Sequence, residues 1–228
     1  MARPIKETPI LTGEDAERFV REMEAVEARS KEEREASRKE FQERVKEAKK
    51  LITFCLWTMR VVALTPEYEI QGFDCGDSDL NEFLLLDAKH FSEKRIANTF
   101  VLEDEGKIAA YFCLLNDKVS RLEVTNSRWK KIKDSFPENK RFRSYPSIKI
   151  GRFAVSINYR GQNVGTQLMD LIKDFLYNEQ SRSAFRFITV DAYLSAIPFY
   201  EKNGFKLLSQ KEEGDTTRLM FFDIKKLE

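Results

Sequence analysis

One histidine and three cysteines stand among 228 residues, and that scarcity closes several chemical routes. Cys55, Cys75 and Cys113 are scattered without a C-x-x-C pair, and an odd number argues against a disulfide framework. His90 has no second histidine or cysteine cluster to share a metal with, so no metal is expected. It falls in a helical pattern and reads as a partly exposed helix residue rather than a base. No Ser-His-Asp or Cys-His set is suggested, which argues against a covalent intermediate. No stretch approaches the roughly 18 uninterrupted apolar residues of a membrane span. The opening MARPIKETPI lacks the apolar core of a secretory signal. A cytoplasmic protein with no membrane contact is the expectation. Neither the phosphate loop G-x-x-x-x-G-K-[ST] nor the dinucleotide fingerprint G-x-G-x-x-G occurs, and no internal repeat is evident.

What is present is unevenly distributed. The net charge is only +1, so position matters more than sum. Residues 13–50 carry 12 acidic and 11 basic side chains with no proline, a composition that suits solvated helix. Thr12-x-x-Asp15 and Ser30-x-x-Glu33 each resemble a capping box that starts a helix. The first helix has Ala16, Phe19, Val20, Met23 and Val26 on one side; the second has Phe41, Val45, Ala48 and Ile52. Stripes this narrow bury little alone, so the helices are expected to dock on the rest of the chain or on another chain. Residues 51–58, LITFCLWT, break to an almost wholly apolar run.

From there strands and helices follow. Arg60 to Leu64 reads as a strand. Gly72-Phe73-Asp74-Cys75-Gly76-Asp77-Ser78-Asp79-Leu80 reads as a capped turn into a helix with Leu80, Phe83, Leu84, Ala88 and Phe91 on one face. Thr99 to Leu102 and Lys107 to Leu115 flank the hairpin signal Asp104-Glu105-Gly106. Residues 128–149 interleave the basic Arg128, Lys130, Lys131, Lys133, Lys140, Arg141, Arg143 and Lys149 with Trp129, Phe136, Phe142 and Tyr145. Such a segment suits phosphates and exposed bases, and equally suits a solvated helix whose aromatics pack on a sheet. Later strands are expected at Phe185 to Asp191, Phe205 to Leu208 and Arg218 to Ile224, with a short helix over Ala196 to Asn203.

The chemistry concentrates between Ile148 and Leu176. An apolar strand, IKIGRFAV, is followed by Tyr159-Arg160-Gly161-Gln162-Asn163-Val164-Gly165-Thr166. A helix with Leu168, Leu171, Ile172, Phe175 and Leu176 on one stripe comes next. The first turn of a helix leaves backbone N–H groups without partners, and the helix dipole adds positive potential there. Such a place binds phosphate, and glycines let the backbone approach it closely.

Arg160-x-x-Asn163-x-Gly165 after Phe153-Ala154-Val155 resembles the pyrophosphate loop of the GNAT acetyltransferases, Arg/Gln-x-x-Gly-x-Gly/Ala. Ala196-Ile-Pro-Phe-Tyr200-Glu-Lys-Asn-Gly204-Phe205 resembles that family's A-x-x-F-Y-x-x-x-G-F element, in the family's order and at about its spacing. Asn163 departs from the pattern, standing where glycine is usual. The F-D-C-G and L-N-x-F-L passage from Phe73 to Leu84 is similar to a subgroup that includes the toxin acetyltransferases of toxin-antitoxin modules.

The resemblance implies an α/β (α+β) fold: a mixed, mostly antiparallel central sheet flanked by helices. It divides the chain into a charged helical extension, 1–58, and an acetyltransferase domain, 59–228. It implies acetyl-CoA as co-substrate, held by Phe153, Ala154, Val155, Arg160, Gly161, Gln162, Asn163, Val164, Gly165 and Thr166, with no metal. Tyr200 is the implied general acid, and Asp191 and Glu201 are candidate bases by sequence proximity only. The acceptor is the α-amine of an aminoacyl-tRNA, with Lys130, Lys131, Arg141 and Arg143 as candidate tRNA contacts, or a small amine or protein N-terminus. A non-catalytic binding module is a third reading. Residues 13–52 are the expected surface for a partner protein or a second copy, and the extension reads as an antitoxin-like cover or an inert addition.

Overall fold

A computed structural model describes residues 10–11, 13–55, 59–121, 144–178, 184–208 and 216–227. They divide into two compact units, one from 40–116 and 149–179, the other from the described parts of 7–39, 117–148 and 180–228. The strands form a mixed sheet with helices, as the sequence implies.

The first unit holds β2 (Met59–Ala63), β3 (Asn98–Asp104) and the larger parts of β4 (Lys107–Arg121) and β5 (Ser144–Val155), in that order across the sheet. β2 and β3 pair antiparallel from Met59↔Asp104 to Ala63↔Phe100, and β3 turns into β4 at Asp104↔Lys107. Glu105 and Gly106 make that two-residue turn with φ of 46° and 81°, the backbone twist that suits a tight hairpin. The helix expected after Asp77 comes in three pieces: α3 (Ser78–Glu82), a π-helical turn (Phe83–Asp87) and α4 (Ala88–Glu93). Asp77 caps it, accepting from the Leu80 N–H at 3.1 Å. Phe83, Leu84 and Ala88 enter the core with Val101, Tyr111, Cys113 and Ala154, and Leu80 and Phe91 pack against them.

α5 (Val164–Asn178) departs from its expected stripe. Leu168, Ile172 and Leu176 are buried, but Phe175 is 43% exposed while Asp170 and Lys173 are nearly sealed. The charges tolerate burial because they pair at 3.3 Å, and Arg44 adds two contacts of 2.9 Å to Asp170. Arg44 lies on α2 (Lys31–Cys55), whose Phe41 and Val45 are buried. α2 starts with a full capping box: Ser30 N–H donates to Glu33 at 2.8 Å, and Glu33 N–H donates to Ser30 Oγ at 3.1 Å.

In the second unit β6 (Phe187–Tyr193) pairs antiparallel with β8 (Thr217–Asp223), from Phe187↔Asp223 to Tyr193↔Thr217. The short β7 (Lys206–Leu207) lies on the far side of β8. β1 (Ile10–Leu11) runs parallel to the end of β4, with Ile10 opposite Ser120. α1 (Gly13–Glu27) buries every residue of its expected stripe. Phe19 sets its ring edge-on to Phe187 at 5.1 Å and to Phe221 at 5.0 Å, in a core with Ala16, Met23, Leu208 and Leu219. Two ion pairs fix the same helix: Glu22 to Lys206, and Glu27 to Arg186 at 3.2 Å. Of the two docking options the sequence left open, α1 thus docks on its own chain.

Phe19→Ala should leave a cavity among these rings and cost about 3–5 kcal/mol. Thermal unfolding followed by circular dichroism should show a Tm lower by roughly 10 °C.

Candidate active site

β5 ends at Val155, with Ala154 buried and Phe153 and Val155 half-buried. Ser156 N–H continues the pairing by donating to the Ala109 carbonyl at 2.9 Å. A single 3-10 turn over Ile157–Tyr159 then lifts the chain away from the strand. Arg160 is extended, with φ −68° and ψ 153°, and Gly161 and Asn163 take φ of 77° and 62°. α5 begins at Val164, and the Asn163 carbonyl accepts the Gln167 N–H at 3.1 Å. Asn163 therefore adopts the left-handed conformation that a glycine would supply, as asparagine does more readily than most residues. The exposed stretch Gly161 to Asn163 leads straight into the open N–H groups of the first helical turn. Gly161 to Asn163 and the first turn of α5 thus present exposed backbone of the kind that receives anions, while Phe153 to Val155 form the end of the strand that leads to them.

The side chains of this segment look elsewhere. Gln162 donates to the Asn158 carbonyl at 3.1 Å, and the Tyr159 hydroxyl donates to Asp104 at 2.7 Å. Burial and that carboxylate push the Tyr159 phenol up to about 12. Arg160, read from sequence as a phosphate donor, gives its guanidinium N–H to the Cys75 carbonyl. Sequence gives no sign of this partner, because Asp74-Cys75-Gly76 reads there as a helix-starting turn and as part of a family resemblance.

Tyr200 lies in the second unit on α6 (Ile197–Lys202), a short helix with Pro198 in its first turn. It is 6% exposed, edge-on to Phe199 at 5.2 Å and to Phe205 at 5.5 Å. The helix stops sharply after it: Asn203 Nδ2 donates to the Phe199 carbonyl at 2.8 Å, and Phe205 N–H donates to the Tyr200 carbonyl at 3.0 Å. Gly204 sits between them at φ 81°, where a Cβ would come within 3.2 Å of the Phe222 ring. Only glycine meets both demands. Burial raises the Tyr200 phenol well above the ordinary value of about 10, so the group stays protonated at neutral pH.

The remaining candidates are placed as follows. Asp191 is half-buried on β6 and Glu201 is exposed on α6. His90 is exposed, 3.9 Å from Glu93. Cys75 and Cys113 are buried thiols; burial raises both, Cys113 to about 12, which disfavours the reactive thiolate. Lys130, Lys131, Arg141 and Arg143 lie outside the described residues. Among the described residues, no group of three His, Cys, Asp or Glu could hold a metal, and no helix is long and apolar enough to cross a membrane. An apolar hollow of about 460 Å³ lies under the C-terminal half of α5, against Val61, Phe100 and Phe112. None of the predicted site residues lines it.

The acetyltransferase (GNAT) family model matches residues 63–205, which take in both motifs. Among solved structures, the chain resembles AtaTR bound with AcCoA at 22% identity and a TM-score of 0.62, covering 75% of this chain and 97% of that one. It resembles AtaT complexed with acetyl-methionyl-tRNAfMet at 23% identity and a TM-score of 0.60, covering 73% and 95%. A mutant AtaT toxin bound to the C-terminus of the antitoxin AtaR matches at 20% identity and a TM-score of 0.58, covering 75% and 96%. At these identities the likeness establishes the fold.

The φ of Asn163 sets a test of the loop. Asn163→Gly should hold Tm or raise it slightly, whereas Asn163→Val should destabilise by about 1–2 kcal/mol, read by thermal melting.

Proposed function

The chain belongs to the acetyltransferase (GNAT) family, and we propose that its acceptor is the α-amine of an aminoacyl-tRNA. The protein is an N-acetyltransferase that draws its acetyl group from acetyl-CoA. The observation that carries the acceptor is the likeness to AtaT, whose complex holds acetyl-methionyl-tRNAfMet. The basic and aromatic run of 128–149 supports it from the sequence, because cations neutralise phosphates and rings stack on unpaired bases.

In this reading the pyrophosphate rests on backbone N–H groups of Gln162 to Thr166, and the pantetheine arm pairs with the backbone of Phe153 to Val155 like an added strand. The deprotonated amine attacks the thioester carbon directly. The Val155 N–H receives the charge that develops on the carbonyl oxygen. The carbon–sulfur bond then breaks, the amine nitrogen gives its proton to solvent or a base, and Tyr200 protonates the departing sulfur. Burial keeps that phenol in its proton-bearing form. The extension, residues 1–58, enters as a regulatory element rather than a chemical one: Arg44 of α2 grips Asp170 of α5, the helix that opens on the loop. Lys130, Lys131, Arg141 and Arg143 are assigned to the tRNA backbone.

The direct test is transfer of label from acetyl-CoA to a mixed pool of charged tRNA, with small amines and peptides run beside it. Label on the tRNA, falling steeply as salt rises, is the expected result. Label on small amines alone would overturn the acceptor assignment. Tyr200→Phe should cut kcat at least tenfold while calorimetry shows CoA binding unchanged; Asn163→Gly should keep or improve that binding. Because its pKa is raised, Tyr200 stays in its acid form to higher pH. The pH–rate profile should therefore rise through the amine pKa near 8 and show no tyrosine-dependent fall below about pH 10.

A further inference from the structure

The Arg160 guanidinium belongs to a connection between two segments 85 residues apart in sequence. On one side is the loop leaving β5. On the other is the turn 74–81 that starts α3. Besides the contact from Arg160 to the Cys75 carbonyl, Ile157 N–H donates to the Asp74 carbonyl at 3.0 Å. A Cβ on Gly76, which sits at φ 72°, would touch Ile157 Cγ2 at 3.7 Å and Arg160 Nη2 at 3.8 Å, so the two segments lie in van der Waals contact.

The turn itself is stiffened from within. Asp74 Oδ1 accepts from Gly76 N–H at 2.7 Å and from Asn81 Nδ2 at 2.9 Å, and Asn81 Oδ1 accepts from Cys75 N–H at 2.9 Å. The Gly76 N–H and Asn81 hold the Asp74 carboxyl below its usual range, with a further contribution from Arg160. Asp74 thus fixes the Cys75–Gly76 peptide whose carbonyl receives Arg160, and Asn81 holds both the Asp74 carboxylate and the Cys75 N–H beside it.

We propose that Arg160 is a positioning residue: it latches the cofactor loop to the 74–81 turn and makes no ion pair with the pyrophosphate. The proposal rests on the reading that residues 162–166 hold that group. A loop tied down at its first residue presents its N–H groups already aligned, which lowers the ordering cost of binding. A guanidinium aimed at phosphate would leave a different mark, because added salt screens an exposed ion pair and leaves a neutral backbone cradle nearly untouched.

The experiment uses the full chain with Arg160→Ala and Asn81→Ala. Amide hydrogen exchange without ligand is read at 74–77 and 157–163, and CoA affinity is read by calorimetry at low and high salt. Arg160→Ala should speed exchange in both segments and weaken CoA about tenfold, by the same factor at both salt concentrations. Asn81→Ala, which changes the far side of the latch only, should speed exchange at 74–77 and weaken CoA about threefold. The latch is overturned if Arg160→Ala leaves exchange unchanged while its CoA deficit shrinks at high salt, since that is the signature of a direct ion pair. It is also overturned if Asn81→Ala speeds exchange with no loss of CoA affinity. Wild-type protein that binds no CoA would sink the cofactor-loop reading instead, and the exchange results would still decide whether the latch exists.

Discussion

Two backbone angles govern the candidate site. Between the end of β5 and the start of α5 the chain must reverse within a few residues without a side chain crowding the space where an anion would lie. Gly161 and Asn163 do this at φ of 77° and 62°. One is free to adopt that conformation, and the other tolerates it at modest cost. Because the helix begins directly afterwards, its unpaired N–H groups and its dipole face the same exposed turn. Remove the left-handed pair and the strand and helix would survive, but the exposed approach to the helix N–H groups would not.

Among the described residues, each unit buries a cluster of charges that answer one another. Asp170 and Lys173 face inward on α5 against the amphipathic rule and are tied to each other and to Arg44. Arg186 sits between Asp223, at 2.7 and 2.9 Å, and Glu27 of α1 at 3.2 Å. Truncating one member of such a cluster leaves its partner desolvated and unpaired, which is far more costly than losing an exposed pair. Each N-terminal helix thus adds one ion pair to a buried cluster, Arg44 of α2 to Asp170 and Glu27 of α1 to Arg186, beside the apolar area it covers.

Local sequence carried the parts of the fold that local physics determines. The Ser30–Glu33 capping box, the α1 stripe, the Asp104 to Lys107 hairpin and the stop at Gly204 all followed from spacing and residue type. The α5 stripe did not, because a periodicity argument sends every Asp and Lys outward and shows neither the pairing of Asp170 with Lys173 nor the distant Arg44 that joins them. Nor did the π-helical turn at Phe83–Asp87, which leaves Leu86 73% exposed in an otherwise apolar run. For the site, the backbone of Gly161 to Asn163 was legible from the motif. The destination of the Arg160 side chain was not, since a charged residue beside a phosphate loop invites an electrostatic reading and its acceptor is a main-chain carbonyl without a sequence signature.

The joint between α2 and α5 has an asymmetry with evolutionary weight. Asp170 and Lys173 cancel each other within a single helix turn, and Arg44, 41% exposed at its side chain, adds to a pair already neutral. Lifting α2 away would take one partner from Asp170 and still leave it paired with Lys173, so α5 keeps its own charge balance without α2. A joint of that kind lets a lineage gain, exchange or discard an upstream helix while the interior of the enzyme stays selectable on its own terms.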